Sequence, residues 1–267
     1  MSSGPEDSTA VPLRKIVAYL DELLETSATP DYPNALNGLQ LSNAGFVTKV
    51  AGAVDFSSKA IDTAVKEKAN LLLVHHGMFW SGLKPLTGSA YQQIRTLLDA
   101  DIAVYSSHLP LDRHSRLGNN VLLAKGLGLN PSGAFARFKE IFIGVQGASD
   151  IETSTLLTRA QAFSHGHGGS VVASGITSTH QTTRRWAICT GAGASAETLA
   201  EATDNGIDTL IVGEGPHWTA VDAADRGITI IYLGHYASET LGVYALVDDI
   251  AREFQLKGVK ISSPTGL

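Results

Sequence analysis

The sequence predicts an α/β protein made of two similar α/β lobes, each built around a mainly parallel sheet. Three observations support this prediction. Short apolar runs alternate with amphipathic stretches of helical period, most apolar runs are continuous, and the second half repeats residues of the first half in order. Continuous apolar strands separated by helices are typical of buried parallel sheets. Ligands of such sheets usually bind beyond the carboxyl ends of the strands, so polar residues at those ends are the first candidates for a functional site.

The first half of the chain begins with a tail over residues 1–10, which has no apolar periodicity and is expected to be flexible. An amphipathic helix is predicted over 11–25, and two prolines with an Asn-Gly pair over 28–41 indicate turns. Ser57 is the expected N-cap of a later helix. The remaining elements alternate, with predicted strands at 46–56, 70–76 and 102–108 and predicted helices at 57–69, 89–101 and 115–129.

The second half repeats this alternation. Its predicted strands are 141–147, 171–176, 186–191, 208–215 and 228–234. Its predicted helices are 150–163, started by Asp150, then 195–206, 217–227 and 236–254. The stretch 164–170 is an expected loop, and 177–185 is a polar segment.

The two halves share polar and aromatic residues that chance matching of apolar strands does not explain. The stretch NLLLVHHGMFW at 70–80 aligns with DTLIVGEGPHW at 208–218, so that a glycine and a tryptophan recur at the same places. In this alignment the pair His75-His76 faces Gly213-Glu214. After the next strand, each half places a histidine three residues beyond a tyrosine and a carboxylate four residues beyond that histidine. These residues are Tyr105, His108 and Asp112 in the first half, and Tyr232, His235 and Glu239 in the second.

We interpret the repeated pattern as an internal duplication. It predicts a first α/β lobe over 11–127 and a second over 128–267. Two lobes related by a pseudo-twofold axis would bring their strand ends, with these polar residues, towards one cleft.

The composition disfavours several classes of protein. The 267-residue chain carries a net charge of −6, which argues against a nucleic-acid-binding protein. Nucleic-acid binding would become plausible again if four arginines lined the central channel of an oligomeric ring. These arginines are more simply explained as solvated surface residues; they are Arg113, Arg116, Arg184 and Arg185. A single cysteine, Cys189, permits no intramolecular disulfide. The N-terminus lacks signal-peptide features and no apolar run approaches the ~20 residues of a membrane span, so we expect a cytoplasmic protein.

The polar residues at the strand ends predict a metal centre in the cleft. The candidates are His75, His76, His108, Asp112, His235 and Glu239, with Glu214 and His217 close by. Imidazole and carboxylate ligands without thiolate suit divalent Zn, Mn, Fe, Co or Ni. The candidates outnumber the three protein ligands of a catalytic zinc ion. Two ions roughly 3.5–4 Å apart would use the surplus.

Spacing sets conditions on how these residues could converge. His235 and Glu239 would lie one turn apart on the same face of a helix. Pro110 is expected to forbid a regular helix between His108 and Asp112, so that pair would converge through a loop. Adjacent residues of a regular strand point to opposite faces, so His75 and His76 would share a site only if the strand had already ended.

Two further patterns have ordinary structural explanations. The other histidines are expected to be hydrogen-bonded residues rather than ligands: His114, His165, His167 and His180. The segment GAGASA at 191–196 joins a predicted strand to a helix and loosely resembles a phosphate-binding turn. Tight packing of strand against helix is the simpler explanation, and phosphate binding stays open as the alternative.

Taken together, these residues resemble the Nif-three-like family, also known as GTP cyclohydrolase I type 2 homologues. The motifs that carry the resemblance, in order along nearly the whole chain, are NGLQL, VHHGMFW, SSHLPLD, LGNN, VGEGPHW and GHYASE. The resemblance implies two α/β lobes around a dinuclear metal site, a toroidal homohexamer, and a compact form without an inserted ferredoxin-like domain. It implies metal ligation by His75, His76, Asp112, His235 and Glu239, with Glu239 bridging, and it places His108 in the inner cleft.

We therefore expect a metal-dependent hydrolase of a nucleotide-like or other small phosphorylated substrate. His108, Glu214 or His217 would act as general acid or base, and with GTP as substrate water would attack the C8 carbon of guanine. The alternative is a non-enzymatic ring that stores or delivers metal or scaffolds partners.

Overall fold

The structure is a computed structural model, and it describes residues 10–176, 178 and 180–267. The predicted flexible tail therefore lies outside the described residues, apart from Ala10. The chain divides into two compact units: the first contains the chain up to Pro110 together with Val243–Ser263, and the second contains Leu111–Gly242 and Pro264–Leu267. The predicted lobes, 11–127 and 128–267, have other boundaries, because the last helix from Val243 onward and the last strand belong to the first unit.

Most elements follow the predicted alternating order, but strands at 11–12, 38–41, 133–138 and 257–260 form where none is predicted. Up to the unit boundary the elements are β1 Val11–Pro12, α1 Leu13–Leu23, β2 Gly38–Leu41, β3 Phe46–Val47, β4 Lys49–Asp55, α2 Ser58–Lys66, β5 Leu71–His76, α3 Gly88–Asp99 and β6 Ala103–Ser106. The helix α4 Leu109–Asp112 spans the boundary. The elements after it are α5 Asn119–Gly126, β7 Gly133–Phe138, β8 Ile141–Glu152, α6 Thr153–Gly166, β9 Val172–Ser174, β10 Thr182–Cys189, α7 Ala196–Asp204, β11 Thr209–Val212, α8 Trp218–Asp225, β12 Thr229–Tyr232, α9 His235–Glu253 and β13 Lys257–Lys260.

The sheet of the first unit has the strand order β13-β4-β5-β6-β2. Its pairs are parallel except for β2, which runs antiparallel to β6. A core of buried aliphatic side chains, with Leu72, Val74 and Val104 at its centre, joins the sheet to α2 and α3. The end of α9 packs on β4, where a Cβ at Gly52 would collide with Val247. This close approach explains why the last part of α9 and β13 belong to the first unit.

The sheet of the second unit has the strand order β7-β8-β10-β11-β12-β9. Its central strands β10, β11 and β12 are parallel, whereas β8 and β9 flank them in the antiparallel direction and β7 pairs antiparallel with β8. The second sheet is thus mixed around a parallel centre. Apolar clusters cover both of its faces, one containing Leu210 and the other Trp186.

The centres of the two units have the same topology, which is consistent with an internal duplication. In the first unit the chain runs β4, α2, β5, α3, β6, and in the second it runs β10, α7, β11, α8, β12. In both cases the strands are parallel, with the second strand of the series in the middle. The two middle strands, β5 and β11, are the ones whose sequences align.

Several local predictions are corrected by the structure. The helix predicted from Asp150 begins at Thr153, because β8 stays paired with β10 as far as Glu152. The expected loop at 164–170 begins late, since α6 continues to Gly166. Part of the polar segment 177–185 is the start of β10, while residues 177 and 179 lie outside the described residues.

Pro110 lies inside a helix, contrary to prediction. The turn α4 spans Leu109–Asp112, with the proline at its second position. Proline is tolerated in the first turn of a helix, where its missing N–H would have no partner within the helix. His108 and Asp112 are therefore joined by a helical turn and not by a loop.

In the parts of the chain that the structure describes, the helices all fall short of the length and apolarity that crossing a bilayer requires.

Candidate metal centre

The end of β5 places two histidine side chains side by side. Both are buried, and their ring centroids are 4.8 Å apart. His75 Nδ1 lies 2.9 Å from the carbonyl oxygen of Ser107, just beyond β6. His76 Nδ1 lies 2.8 Å from Oδ1 of Asp55, the last residue of β4. Each ring is thus held from a different neighbouring strand.

The strand does not end before these histidines, so that part of the prediction is wrong. β5 continues through His76, which pairs with Asp55, whereas the pairing with β6 ends at Val74 and Ser106. The ladder between β5 and β6 therefore stops one residue before His75, whose carbonyl instead accepts a hydrogen bond from Ser106 Oγ at 3.4 Å. The rings converge within the strand because hydrogen bonds to two neighbours orient them.

A third histidine, His108, joins this cluster through a buried network. Its Nδ1 lies 2.9 Å from Oδ1 of Asp31, whose other carboxylate oxygen accepts hydrogen bonds from Leu109 N (2.9 Å) and from Asn37 Nδ2 (2.7 Å). Asn37 Oδ1 in turn accepts from the backbone N–H of His108 at 2.7 Å. Burial tends to raise the pKa of Asp31, but hydrogen bonds and charge from His108, with help from Asn37, lower it overall. The carboxylate is therefore ionised and accepts a hydrogen bond from Nδ1–H of His108.

The first-unit cluster, His75, His76 and His108, can hold a metal ion. One ligand atom from each residue can be chosen so that all lie within 4.8 Å of one another. An oxygen acceptor at Nδ1 fixes the tautomer in which Nε2 carries the lone pair, and metal-binding histidines are oriented in this way. The chemistry of the donors and the orientation of the rings thus fit a divalent ion.

The second unit places another histidine and a carboxylate on the first turn of α9. His235 Nδ1 lies 2.8 Å from Glu214 Oε1, and its Nε2 lies 3.1 Å from Glu239 Oε2. Burial lowers the pKa of His235, but hydrogen bonds and charge from Glu239 and Glu214 outweigh it and raise the pKa to about 9. Without a metal ion, His235 is a cation shared by two carboxylates. A divalent cation bound by the same groups would take over the role of that proton.

Asp112 is also buried in the second unit and is held by an asparagine. Its Oδ1 accepts a hydrogen bond from Asn119 Nδ2 at 2.8 Å, and Asn119 Oδ1 accepts from Gly242 N at 2.7 Å. Asn119 begins α5, in the LGNN segment. The second unit thus supplies oriented carboxylates of the kind that hard and borderline cations bind.

The glycine-rich turn after β10 makes room for the carboxylate of Glu239. A Cβ at Gly191 would collide with that carboxylate, and the residue has a φ of +63°. The helix that follows, α7, begins with a capping box. Thr198 N donates to Ser195 Oγ and Ser195 N donates to Thr198 Oγ1. These contacts favour the packing interpretation of GAGASA over phosphate binding.

The remaining candidates of the sequence occupy other surroundings. His217 is exposed just before α8, and Glu214 is used by His235. His114 accepts a backbone hydrogen bond from Leu117 at 3.0 Å, and His167 Nδ1 lies 2.8 Å from the Phe163 carbonyl, the ordinary roles expected for them. Cys189 is buried, and burial followed by nearby carboxylates raises the pKa of its thiol, so it is a core residue and not a thiolate.

Sequence reasoning missed the residues that orient the rings. Asp55 could have been found, because it ends a strand adjacent to β5 and the carboxyl ends of parallel strands lie together. Asp31 and Asn37 lie in the turn-rich stretch 28–41, where acidic and amide residues are expected for turn formation alone. Only the tertiary structure brings them to His108.

Comparison with known proteins shows the family of the chain. The family described as Duf34/NIF3 (NGG1p interacting factor 3) matches residues 11–265. A protein of Deinococcus radiodurans named GTP cyclohydrolase 1 type 2 homolog is 35% identical over 261 residues, covering 95% of this chain and 94% of its own length. A protein of the same name from Pyrococcus abyssi is 38% identical over 256 residues, covering 95% and 98%.

A solved structure has the same fold. The crystal structure of a Thermus thermophilus protein superimposes with a TM-score of 0.79 at 30% identity, covering 96% of this chain and 100% of that one. The match of the family extends over nearly the whole chain. The chain belongs to the Duf34/NIF3 family.

Proposed function

We propose that this protein binds two divalent metal ions and is a metal-dependent hydrolase of a small nucleotide-like or phosphorylated substrate. One observation carries the metal-binding part. Each of four histidines, His75, His76, His108 and His235, has its Nδ1 within 2.9 Å of an oxygen acceptor, in three cases a carboxylate. A protein gains little from orienting so many buried or half-buried imidazoles unless their Nε2 atoms serve a common purpose.

The ligands would be those implied by the family resemblance: His75, His76, Asp112, His235 and Glu239. A dinuclear site requires that the ligands of both units serve the same two ions, and the amount of bound metal tests that requirement. When bound, divalent ions would polarise the electrophilic atom of a substrate and make water acidic enough to attack near neutral pH.

Other side chains of the protein orient the histidine rings and transfer protons. Asp55 and Glu214 hold the rings of the proposed ligands His76 and His235 in place before any ion arrives, and Asp31 holds the ring of His108. His108 is our first choice for moving a proton, because it is buried beside His75 and paired with a carboxylate. Glu214 is occupied by His235, and His217 is exposed, so both rank below it.

The relatives' printed name, GTP cyclohydrolase 1 type 2 homolog, makes GTP the first substrate to try. The rival proposal is a metal-handling or scaffold ring without turnover. The two differ at His108: the hydrolase should lose activity in His108→Asn while retaining metal, whereas a metal-handling protein should show no turnover of GTP or of other nucleotides with any of the candidate ions.

The experiment that tests metal binding is elemental mass spectrometry of the purified protein. We expect two equivalents per chain in the wild type and one or fewer in Glu239→Gln, which keeps the volume of a side chain that is 2% exposed. The matched control is Glu253→Gln, an exposed glutamate of the same helix, which should keep two equivalents. A wild type that holds no metal and takes up no Zn, Mn or Fe would refute the proposal.

A further inference from the structure

The loop after β5 forms one side of a pocket that opens beside His76. The cavity has a volume of about 350 Å³ and lies entirely within the first unit, between the end of β4, the segment 77–86 and the start of α3. Its volume is in the ~300–1,000 Å³ range of small-molecule sites. Of the predicted ligands and the predicted acid and base residues, His76 alone lines this pocket.

The pocket shares a wall with the histidine cluster. The ring of Trp80 lies 4.5 Å from that of His76 and 4.5 Å from that of His108, at interplanar angles of 37° and 60°. His76 itself lines the cavity. A molecule in this pocket would therefore lie directly beside the groups that we propose to bind metal.

The pocket walls combine flat aromatic surface with two groups of opposite charge. Phe56, Phe79 and Trp80 are half-buried and line it. Planar aromatic ligands stack on such side chains, and a heterocyclic base does so whatever its identity because every base has a π-face. Asp55 and Lys84 also line the cavity. Asp55 uses Oδ1 for His76 while the side chain stays 38% exposed, so its carboxylate can also accept hydrogen bonds from a ligand.

We propose that this pocket binds the base and the anionic group of the substrate: a planar heteroaromatic ring with N–H donors faces Asp55 and the aromatic walls, and a phosphate or other anion pairs with Lys84. The inference rests on the proposed function for its place beside the metal ligands. It adds Trp80 and Lys84 as the residues that determine specificity; the aligned stretch of the second unit keeps a tryptophan, Trp218, at the position of Trp80.

A titration with three probes tests the proposal: guanosine 5′-monophosphate, guanosine and ribose 5-phosphate, each followed by calorimetry in metal-free and metal-loaded protein. We expect the nucleotide to bind most tightly, and we expect Lys84→Met to weaken it about tenfold while leaving guanosine unchanged, as loss of one charge-assisted hydrogen bond predicts. Lys66→Met is the matched control, because it removes an exposed lysine of α2 in the same unit that does not line the pocket.

Fluorescence provides a second measurement that does not depend on Lys84. The chain has three tryptophans, at 80, 186 and 218. Guanosine should quench the emission of the wild type and have little effect in Trp80→Phe, a variant that keeps an aromatic ring against the histidines. Loss of quenching in Trp218→Phe instead, or an unchanged nucleotide affinity in Lys84→Met, would overturn the inference.

The outcome separates this inference from the proposed function. If the protein binds two metal ions but neither guanosine nor the nucleotide at millimolar concentration, the pocket proposal fails and metal binding stands. If nucleotide binding depends on Lys84 in protein that takes up no metal, the pocket proposal stands and the metal-dependent function fails.

Discussion

The carboxyl ends of β5 and β11 occupy equivalent places in the two units but carry different residues. β5 ends in His75 and His76, whereas β11 is followed by Gly213 and Glu214. A side chain at position 213 has no room, because a Cβ there would lie 2.5 Å from the Gly191 carbonyl oxygen and 2.6 Å from Ser238 Oγ. In the second unit, the glycine turn and the start of α9 take up the volume that an imidazole occupies in the first.

The two units share a duplicated scaffold, but the positions that supply the histidine and the carboxylate are exchanged between them. In the first unit the middle strand supplies imidazoles, and the neighbouring strand supplies the carboxylate Asp55 that orients one of them. In the second unit the segment after the middle strand supplies the orienting carboxylate, Glu214, and the helix after β12, α9, supplies the imidazole of His235. Both arrangements produce the same pair, a histidine held through Nδ1 by a carboxylate 2.8 Å away.

The largest expected effect is a pH dependence of the stability that His235 contributes to the metal-free protein. His235 has a pKa of about 9 in the folded chain against an ordinary value of 6.5, so proton binding stabilises the fold. This contribution is complete below pH 6.5 and is lost as the pH rises through about 9, and it amounts to on the order of 3 kcal/mol. Urea unfolding should therefore show the advantage of wild type over His235→Asn shrinking by about that amount between pH 6 and pH 10.

A constant difference between the two proteins across this range would contradict the pairing of His235 with Glu239 and Glu214. Saturating metal should suppress the pH dependence, because a bound cation replaces the proton between these groups. His165→Asn is a suitable control, since His165 lies on the last turn of α6, away from these carboxylates in sequence and in hydrogen bonding.

The next prediction concerns metal affinity and asks whether the two orienting carboxylates, Asp55 and Glu214, are equivalent. Asp55→Ala and Glu214→Ala should each lower metal affinity by about 10–100-fold, as loss of a group that holds a metal-binding histidine typically does. Asp55→Asn and Glu214→Gln should recover part of the loss, because an amide oxygen still accepts from Nδ1. Competition with a chromogenic chelator measures these affinities.

The control for this series is Asp62→Ala, which removes an exposed carboxylate of α2 and should leave the affinity unchanged. If only one of the two orienting carboxylates affects metal affinity, then Asp55 and Glu214 do not have equivalent roles, and our interpretation of the two units is wrong.

The sequence predicts the structure well where hydrophobic patterning or residue spacing has a single structural interpretation. Alternating apolar runs and amphipathic helices predict the parallel centres of both sheets, and the repeated Tyr-His-carboxylate spacing predicts which strand ends hold polar residues. Short edge strands were missed because local pattern is weak there. β13, KGVK, has Val259 as its only aliphatic residue, and β2 lies in a stretch rich in turn formers. These two segments form strands because they pair with β4 and β6, a tertiary contact that the local sequence does not indicate.

The orienting residues were the least predictable part of the candidate centre. Asp31 lies 77 positions before His108 in the chain, and Asp55 lies 21 before His76. Contacts of this range depend on how loops return to the sheet edge, and spacing rules describe only neighbours along a helix or strand. The same limit explains why convergence of His75 and His76 inside a strand was not expected.

The smallest expected effect concerns His217, which aligns with Phe79 of the first unit. Phe79 is half-buried against the pocket, whereas His217 is exposed, so the two positions do not serve the same purpose. His217→Ala should change the free energy of unfolding by no more than about 0.5 kcal/mol, as surface substitutions usually do, and should leave the metal content at its wild-type value. Thermal unfolding and elemental analysis of the variant measure both. A tenfold or greater loss of turnover at unchanged stability and metal content would instead assign His217 the acid–base role predicted from the sequence, and would place the proton carrier in the unit that lacks the histidine pair.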